Sequence, residues 1–255
     1  MRVAAIQHDI HWQDAARTRE HVTPLIAQAV AAGTRLAVLT EMFATGFSMD
    51  PTRVAEPEGG PTESFLLERA RAHDMWLIAS VAQWGADGRA RNNAIVAGPG
   101  GQVHRYAKIH PFSFAGEHEH YAAGTEHLTV VIDGMRVSVL VCYDLRFADE
   151  FWALARQTDL YVVPASWPAA RREHWRTLLR ARAIENQAYV VGANRVGRVV
   201  EAGQEIDHVG DSAIIDPLGR VIAEASLAQA VLVADVEATE VRDVRARYPF
   251  LADRR

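Results

Sequence analysis

A chain of 255 residues, 49% hydrophobic and 23% charged, has the composition of a globular protein and the length to bury a large core, in one large domain or two small ones. Its net charge of −5 is spread along the chain without a run of Lys or Arg, which argues against a nucleic-acid footprint or a basic membrane-surface patch. No apolar run approaches the roughly 18–20 residues of a membrane span, MRVAAIQHDIHW lacks the long apolar stretch of a signal peptide, and a single cysteine makes no internal disulfide, so a reducing cytoplasm is expected.

The chain alternates strand-like and helix-like segments. MRVAAIQ reads as a strand. From Asp14 to Ala32, Val22, Leu25, Ile26, Ala29 and Val30 share one face and predict a helix, closed by Gly33. RLAVLT (strand), TESFLLERARAHD (helix) and MWLIASVAQW (strand) follow. NNAIVAGPGGQVHRYAK reads as two strands around a Pro-Gly-Gly turn. The second half repeats this order: MRVSVLV, a strand; RFADEFWALARQ, a helix; LYVVPAS, a strand; EHWRTLLRARAIENQ, a helix; AYVVGANRV, a strand. DSAIIDPLGRVIAEA then predicts two strands about the turn Asp216-Pro217-Leu218-Gly219, and QAVLVADV one more. Residues 112–124 and 197–210 read as loops.

Each half is thus roughly strand–helix–strand–helix–strand–strand–strand, with one further strand closing the second, a repeat of order and not of residues. One helix layer per sheet, with the sheets stacked, buries both faces of these Val-rich strands. The expected fold is α/β: a four-layer α-β-β-α sandwich of two stacked mixed sheets with pseudo-twofold symmetry. Residues 1–255 are expected to form one domain, with 237–255 as a tail that frays or packs on a partner subunit.

Reactive side chains in layered α/β proteins sit past the carboxyl ends of strands. Glu41 ends RLAVLTEMF, Lys108 ends QVHRYAKIHPF, and Cys142, the lone cysteine, ends MRVSVLVCYDLRF. A lone cysteine is more often a small buried hydrophobe. A strand–turn–helix nucleophile, however, exposes its side chain at the top of a sheet. Helix amides and a nearby cation are expected to enlarge the thiolate share of a thiol that is otherwise a few per cent ionised at pH 7. Glu41 beside it would raise the thiol pKa, but as a base it could take the proton during attack and return it to a leaving amine. Lys108, otherwise a surface lysine, would face the oxyanion of a tetrahedral intermediate, with the Tyr143 N–H as second donor.

TEMFATGFS, YAKIHPF and VCYDLRF resemble the nitrilase superfamily of carbon–nitrogen hydrolases. The likeness extends through PASWPAARREHWRTLLRARAIENQAYVVGANRVG and DSAIIDPLGRVIAEA, nearly the whole chain. It implies the four-layer sandwich, pairing into a homodimer or larger homo-oligomer through outer helices, and a Glu–Lys–Cys triad at Glu41, Lys108 and Cys142. A second glutamate in the loop after the lysine is placed by its distance from Gly124, which selects Glu117 over Glu119. CYDLRF, EMFATGFS, SWPAARREHW and RARAIENQAYVVGANRVG are most similar to bacterial omega-amidases. These imply hydrolysis of the terminal amide of α-ketoglutaramate-like ω-amido acids through a thioester, with ammonia released and no metal or organic cofactor.

A small acidic substrate calls for a cation and apolar walls. Arg146 could pair with the remote carboxylate, and Phe43, Phe47 and Trp167 are candidate walls, although aromatic residues at strand ends are equally often core. Two other classes compete. His110, His118 and His120 near Glu117 and Glu119 could serve a metal hydrolase, but no HExxH is present. A non-catalytic scaffold on the same fold is the other. Within the superfamily, a carbamoylase, another amidase or a nitrilase would differ only in pocket shape.

Overall fold

A computed structural model describes residues 1–201 and 204–253. The chain opens with β1 (Arg2–Gln7), α1 (Ala15–Ala31), β2 (Leu36–Val38), α2 (Pro51–Val54), β3 (Glu56–Pro57) and α3 (Pro61–His73). It continues through β4 (Trp76–Trp84), β5 (Ala90–Ala97), β6 (Val103–Ala107) and the single turn α4 (Glu117–His120). The second half holds β7 (Leu128–Ile132), β8 (Met135–Val139), α5 (Ala148–Leu154), β9 (Leu160–Ala165), α6 (Arg172–Asn186) and β10 (Tyr189–Asn194). It ends with β11 (Val196–Glu201), β12 (Gln204–Ile215), β13 (Val221–Ser226), β14 (Ala230–Asp235) and α7 (Ala238–Arg247).

Local chemistry sets the helix ends. The Asp14 carboxylate accepts the Arg17 N–H and caps α1. Pro61 opens α3, where its fixed φ suits the first turn and its missing N–H costs nothing.

The strands form two sheets, ordered β14-β1-β2-β4-β5-β6 and β11-β12-β10-β9-β8-β7, with β3 beside β4 and β13 beside β12. In the first sheet β1, β2 and β4 are parallel and β5 and β6 antiparallel. In the second, β8, β9 and β10 are parallel and β12 and β13 antiparallel. This is the pseudo-twofold repeat expected from the order of elements. The connection between the halves adds a feature of its own. β7, which follows β6, pairs with β8 in the second sheet, and β14, which follows β13, pairs with β1 in the first.

Residue alternation separates the layers. Val3, Ala5, Leu36, Val38, Ile78, Ala94 and Val96 join Val137, Val139, Leu160 and Val162 in one buried cluster between the sheets. Their neighbours Ala4, Ile6, Ala37, Leu39, Leu77, Ala79, Ile95 and Ala97 pack instead on Val22, Ile26 and Ala29 of α1 and Leu66 and Ala70 of α3. A period of two therefore fills both faces of the first sheet. On the outer face of the second sheet α6 lies close to β10. A Cβ at Gly192 would stand 2.6 Å from Leu179 and 2.8 Å from Trp175, so only glycine fits. Among the described residues no helix is long and apolar enough to cross a membrane.

Three sequence expectations are revised. Residues 197–210 are no loop: β11 and β12 form a hairpin, tied outside by Arg198 to Glu205 (2.9 Å) and Asp207 (2.7 Å). Its polar outward face hid the strand pattern. β7 was not anticipated, because its sequence, LTVVI, sits between two polar stretches. The tail docks on its own chain as far as it is described. Val241 is fully buried, and Arg245 donates to the carbonyls of Gln187, Ala155, Thr158 and Asn186.

Just past β1, His8 is fully buried; its Nδ1 lies 2.8 Å from the Asp9 carbonyl and its Nε2 3.0 Å from Thr40 Oγ1, one residue before Glu41. Burial pushes this imidazole down to about 4 from the usual 6.5. The folded protein therefore refuses a proton that the unfolded chain accepts, so stability is lost as pH falls from about 6.5 towards 4. In denaturant titrations across that interval, His8→Asn should lose less stability than the wild type, by roughly 2 kcal/mol. Parallel losses in the two proteins would remove His8 from the acid sensitivity.

Candidate active site

Chain segments far apart in sequence meet where β2, β6, β8 and β9 end. Past β2, the backbone turns at Met42 (φ 40°), and Glu41 is fully buried. The Glu41 N–H reaches the Ala165 carbonyl at the end of β9 (3.3 Å), so the two sheets meet here directly. Past β8, Cys142 itself takes the left-handed conformation (φ 45°), strained for a side chain with a Cβ. Asp144 clamps this turn. Its Oδ2 accepts the Val141 N–H (2.9 Å) and the Tyr106 hydroxyl (2.8 Å), and its Oδ1 accepts the His110 N–H (2.9 Å). A short 3-10 turn, Cys142–Arg146, precedes α5, where a helix starting at the cysteine was expected.

Lys108 follows β6 and is 1% exposed. Its Nζ donates to Glu41 Oε1 and to Glu117 Oε2, both at 2.8 Å, and lies 5.1 Å from the Phe47 ring centroid. Burial opposes this charge, but Glu117, Glu41 and Cys142 outweigh it and hold the ammonium above the ordinary lysine value. Glu117, on α4, is fully buried and also accepts the Phe112 N–H. Glu119 on the same turn is 70% exposed at the cavity rim. Burial raises the Glu117 carboxyl above its ordinary value despite Lys108, and Glu41 adds to the rise. Gly124 ends this loop against β6: its N–H donates to the Lys108 carbonyl (2.9 Å), and a Cβ there would stand 2.1 Å from the Ala107 oxygen.

The Cys142 thiol is buried close enough to the Glu41 carboxylate and the Ser166 N–H for both to act on its ionisation. Burial and then Glu41 push it well above the ordinary thiol value, against the pull of Lys108. This corrects the expectation of an enlarged thiolate share. The turn at Cys142 is too short to supply a helix field, and a buried thiol beside a carboxylate keeps its proton.

These groups lie at one end of a cavity of about 740 Å³. Arg146, Phe47 and Trp167, the candidate substrate contacts, line it, and so does Tyr143, the candidate oxyanion donor. Phe43 does not. It is fully buried in the outer core beneath α1 and α3, 6.4 Å from Phe65, and is packing and not a pocket wall. The Arg146 guanidinium stacks 4.8 Å from the Trp167 ring centroid and contacts His174.

Several residues escaped the sequence reading. Arg171 lines the cavity over Phe112 (5.4 Å), and burial, followed by Arg146, lowers its pKa from the usual arginine value. Among the described residues, neither Arg146 nor Arg171 has an ion pair with a carboxylate. The Ser166 N–H donates to Glu41 Oε2 (3.0 Å), and Asn92 touches both Glu41 and Glu117. An asparagine pair inside the apolar run NNAIVA was the available signal for Asn92. Arg195, 1% exposed and bound to Asp9, offered none.

The histidines of the metal alternative are dispersed. His110 stacks on Phe147 (3.6 Å) and faces Asp144, and His118 is 51% exposed. No group of three His, Cys, Asp or Glu side chains among the described residues is placed to hold a metal ion.

The carbon-nitrogen hydrolase family profile matches residues 2–246. An omega-amidase of Yersinia enterocolitica is 39% identical over 99% of this chain and 96% of its own length. A 2-oxoglutaramate amidase of Bacillus subtilis is 32% identical over 85% of this chain and 83% of its own. A solved carbon–nitrogen hydrolase superfamily protein from Xanthomonas campestris, with an arsenic adduct in its active site, superposes with a TM-score of 0.93 at 35% identity, covering 100% of this chain and 97% of that one. With its stacked sheets and this span of likeness, the chain belongs to the carbon–nitrogen hydrolase family.

Proposed function

We propose that this hydrolase is a cysteine-dependent amidase that cleaves the terminal amide of a small ω-amido acid of the α-ketoglutaramate type. The observation that carries the reading is the protonated Cys142 thiol against the Glu41 carboxylate, with Lys108 bound to that same carboxylate. Glu41 takes the thiol proton as Sγ attacks the amide carbonyl, so two adjacent anions never form. An ammonium has three N–H donors. Lys108 gives one to Glu41 and one to Glu117, which leaves one for the oxyanion, with the Tyr143 N–H as its second donor. Glu41 returns the proton to the nitrogen as the C–N bond breaks and ammonia leaves. Water, deprotonated by Glu41, then cleaves the thioester, and the carboxylate product leaves as the thiol is restored. Glu117 holds Lys108 in place.

Substrate class follows from the cations that line the cavity. Arg146 and Arg171 are cations on an aromatic wall with no protein carboxylate to neutralise them among the described residues. A substrate carboxylate fits between them. The likeness to an omega-amidase and a 2-oxoglutaramate amidase points to the same class. We read residues 1–255 as one catalytic domain, acting in the cytoplasm as a homodimer or larger assembly.

Ammonia release should be assayed from α-ketoglutaramate, succinamate, glutamine, an N-carbamoyl amino acid and an aliphatic nitrile. Release from the first two supports the reading, and release from the nitrile or carbamoyl compound alone overturns it. Cys142→Ala should keep the fold by circular dichroism and lose at least about 1,000-fold in turnover; an active variant would end the mechanism. Lys108→Met should lower kcat about 100- to 1,000-fold with KM little changed, whereas an effect confined to KM would make Lys108 a binding residue. Arg146→Ala and Arg171→Ala should each lower kcat/KM for succinamate about 10- to 100-fold, with little change for butyramide. Equal losses on the two amides would remove both arginines from specificity.

A further inference from the structure

Asn92 opens the inner part of β5, opposite the end of β6, and is 1% exposed. Its backbone carbonyl accepts the Lys108 N–H at 2.9 Å, so it braces the segment that carries the lysine. Its side chain does something different. One amide nitrogen, Nδ2, lies 2.8 Å from Glu41 Oε1 and 3.0 Å from Glu117 Oε1. Both N–H groups of the amide are thereby spent on two carboxylates that come from separate parts of the chain.

The other end of the amide is instructive. Asn92 Oδ1 is buried and finds no hydrogen-bond partner among the described residues. Leaving a buried acceptor unmet costs stability. Turning the amide over would be worse, because Oδ1 would then face two carboxylate oxygens. The orientation is therefore set by the charge on Glu41 and Glu117, at the expense of Asn92's own acceptor.

The charges explain why such a donor is needed. Glu41 faces Lys108, Glu117, the Cys142 thiol and the Ser166 N–H, while Glu117 faces Lys108, Glu41 and the Phe112 N–H. Arg171 is near enough to sense Cys142. With the thiol neutral, one buried ammonium serves two carboxylates, an excess of one negative charge in a buried site. A cation at position 92 would quench the base, and an acid would add to the excess. A neutral double donor stabilises both anions and adds no charge.

We propose that Asn92 is a positioning residue of the reaction: its two amide N–H groups brace the Glu41 and Glu117 carboxylates and hold them in register on Lys108. This rests on the reading of Glu41 as the base for Cys142, and it can be tested without amide turnover. Removing the donors withdraws hydrogen bonds from the two carboxylate anions, so activation of the thiol needs a higher pH.

The test is the rate at which iodoacetamide alkylates Cys142 between pH 5 and 9, followed by mass spectrometry of the intact full-length protein. Asn92→Ala should move the acid-side midpoint of that profile up by roughly one pH unit or more, with Asn92→Ser, which keeps a single donor, falling between it and the wild type. On an amide substrate Asn92→Ala should lower kcat about tenfold or more at pH 6, with KM within about threefold. A folded Asn92→Ala whose alkylation profile overlays that of the wild type overturns the proposal. Should Asn92→Ala not fold, an unshifted profile for Asn92→Ser does the same. Alkylation proceeds whatever the natural substrate, so silence on every amide would sink the substrate reading and leave this result standing.

Discussion

The structure turns on one buried ammonium. Lys108 is held by Glu41 and Glu117, all three buried, and each of the three is costly alone. Their mutual attraction is useful only with correct geometry and with the remaining lone pairs met. Asn92, the Ser166 N–H and the Phe112 N–H meet them. These donors come from β5, from the end of β9 and from the loop after β6. Displacing any of these segments would leave a buried charge exposed to its own desolvation cost. The knot therefore constrains the backbone around it as well as the chemistry.

That constraint accounts for the raised pKa of the Cys142 thiol, the nucleophile of the proposed reaction. A thiolate at Cys142 would add a third anion to a site already one charge short, so burial and Glu41 keep the proton on sulfur. Amide cleavage needs that proton, because an unprotonated amine anion leaves poorly. Holding it between sulfur and Glu41 places it where the leaving nitrogen will be. The strained turn at Cys142, clamped by Asp144, aims the sulfur into the cavity and keeps the next N–H beside it.

The two-sheet frame makes such a site possible. β14 returns from the second half to pair with β1, so the first sheet is completed by a strand from the far end of the chain, whereas β7 joins the second sheet as a hairpin with its neighbour β8. Through β14 the second half of the chain is fastened to the first sheet by a ladder of backbone hydrogen bonds. Glu41 from the first sheet then meets Ala165 and Ser166 from the second through backbone contacts.

Much of this was legible in the residue order. The period-two strands, the amphipathic helices and the repeated order of elements imply two stacked sheets with helices outside, because that arrangement alone buries both faces. Polar residues at the ends of apolar strands marked Glu41, Lys108 and Cys142, whereas Glu117 was picked out only through the resemblance to related sequences, which set its distance from Gly124. The β11–β12 hairpin was hidden because its outward face is as polar as a loop. Phe43 was misplaced because an aromatic at a strand end looks the same whether it faces a pocket or a core. The environment of the thiol, the presence of Arg171 beside Arg146 in the cavity lining and the double donation by Asn92 were decided only by tertiary structure. Each depends on burial and on neighbours distant in sequence, and desolvation and Coulomb attraction are properties of where a side chain ends up, which the local pattern of a chain does not carry.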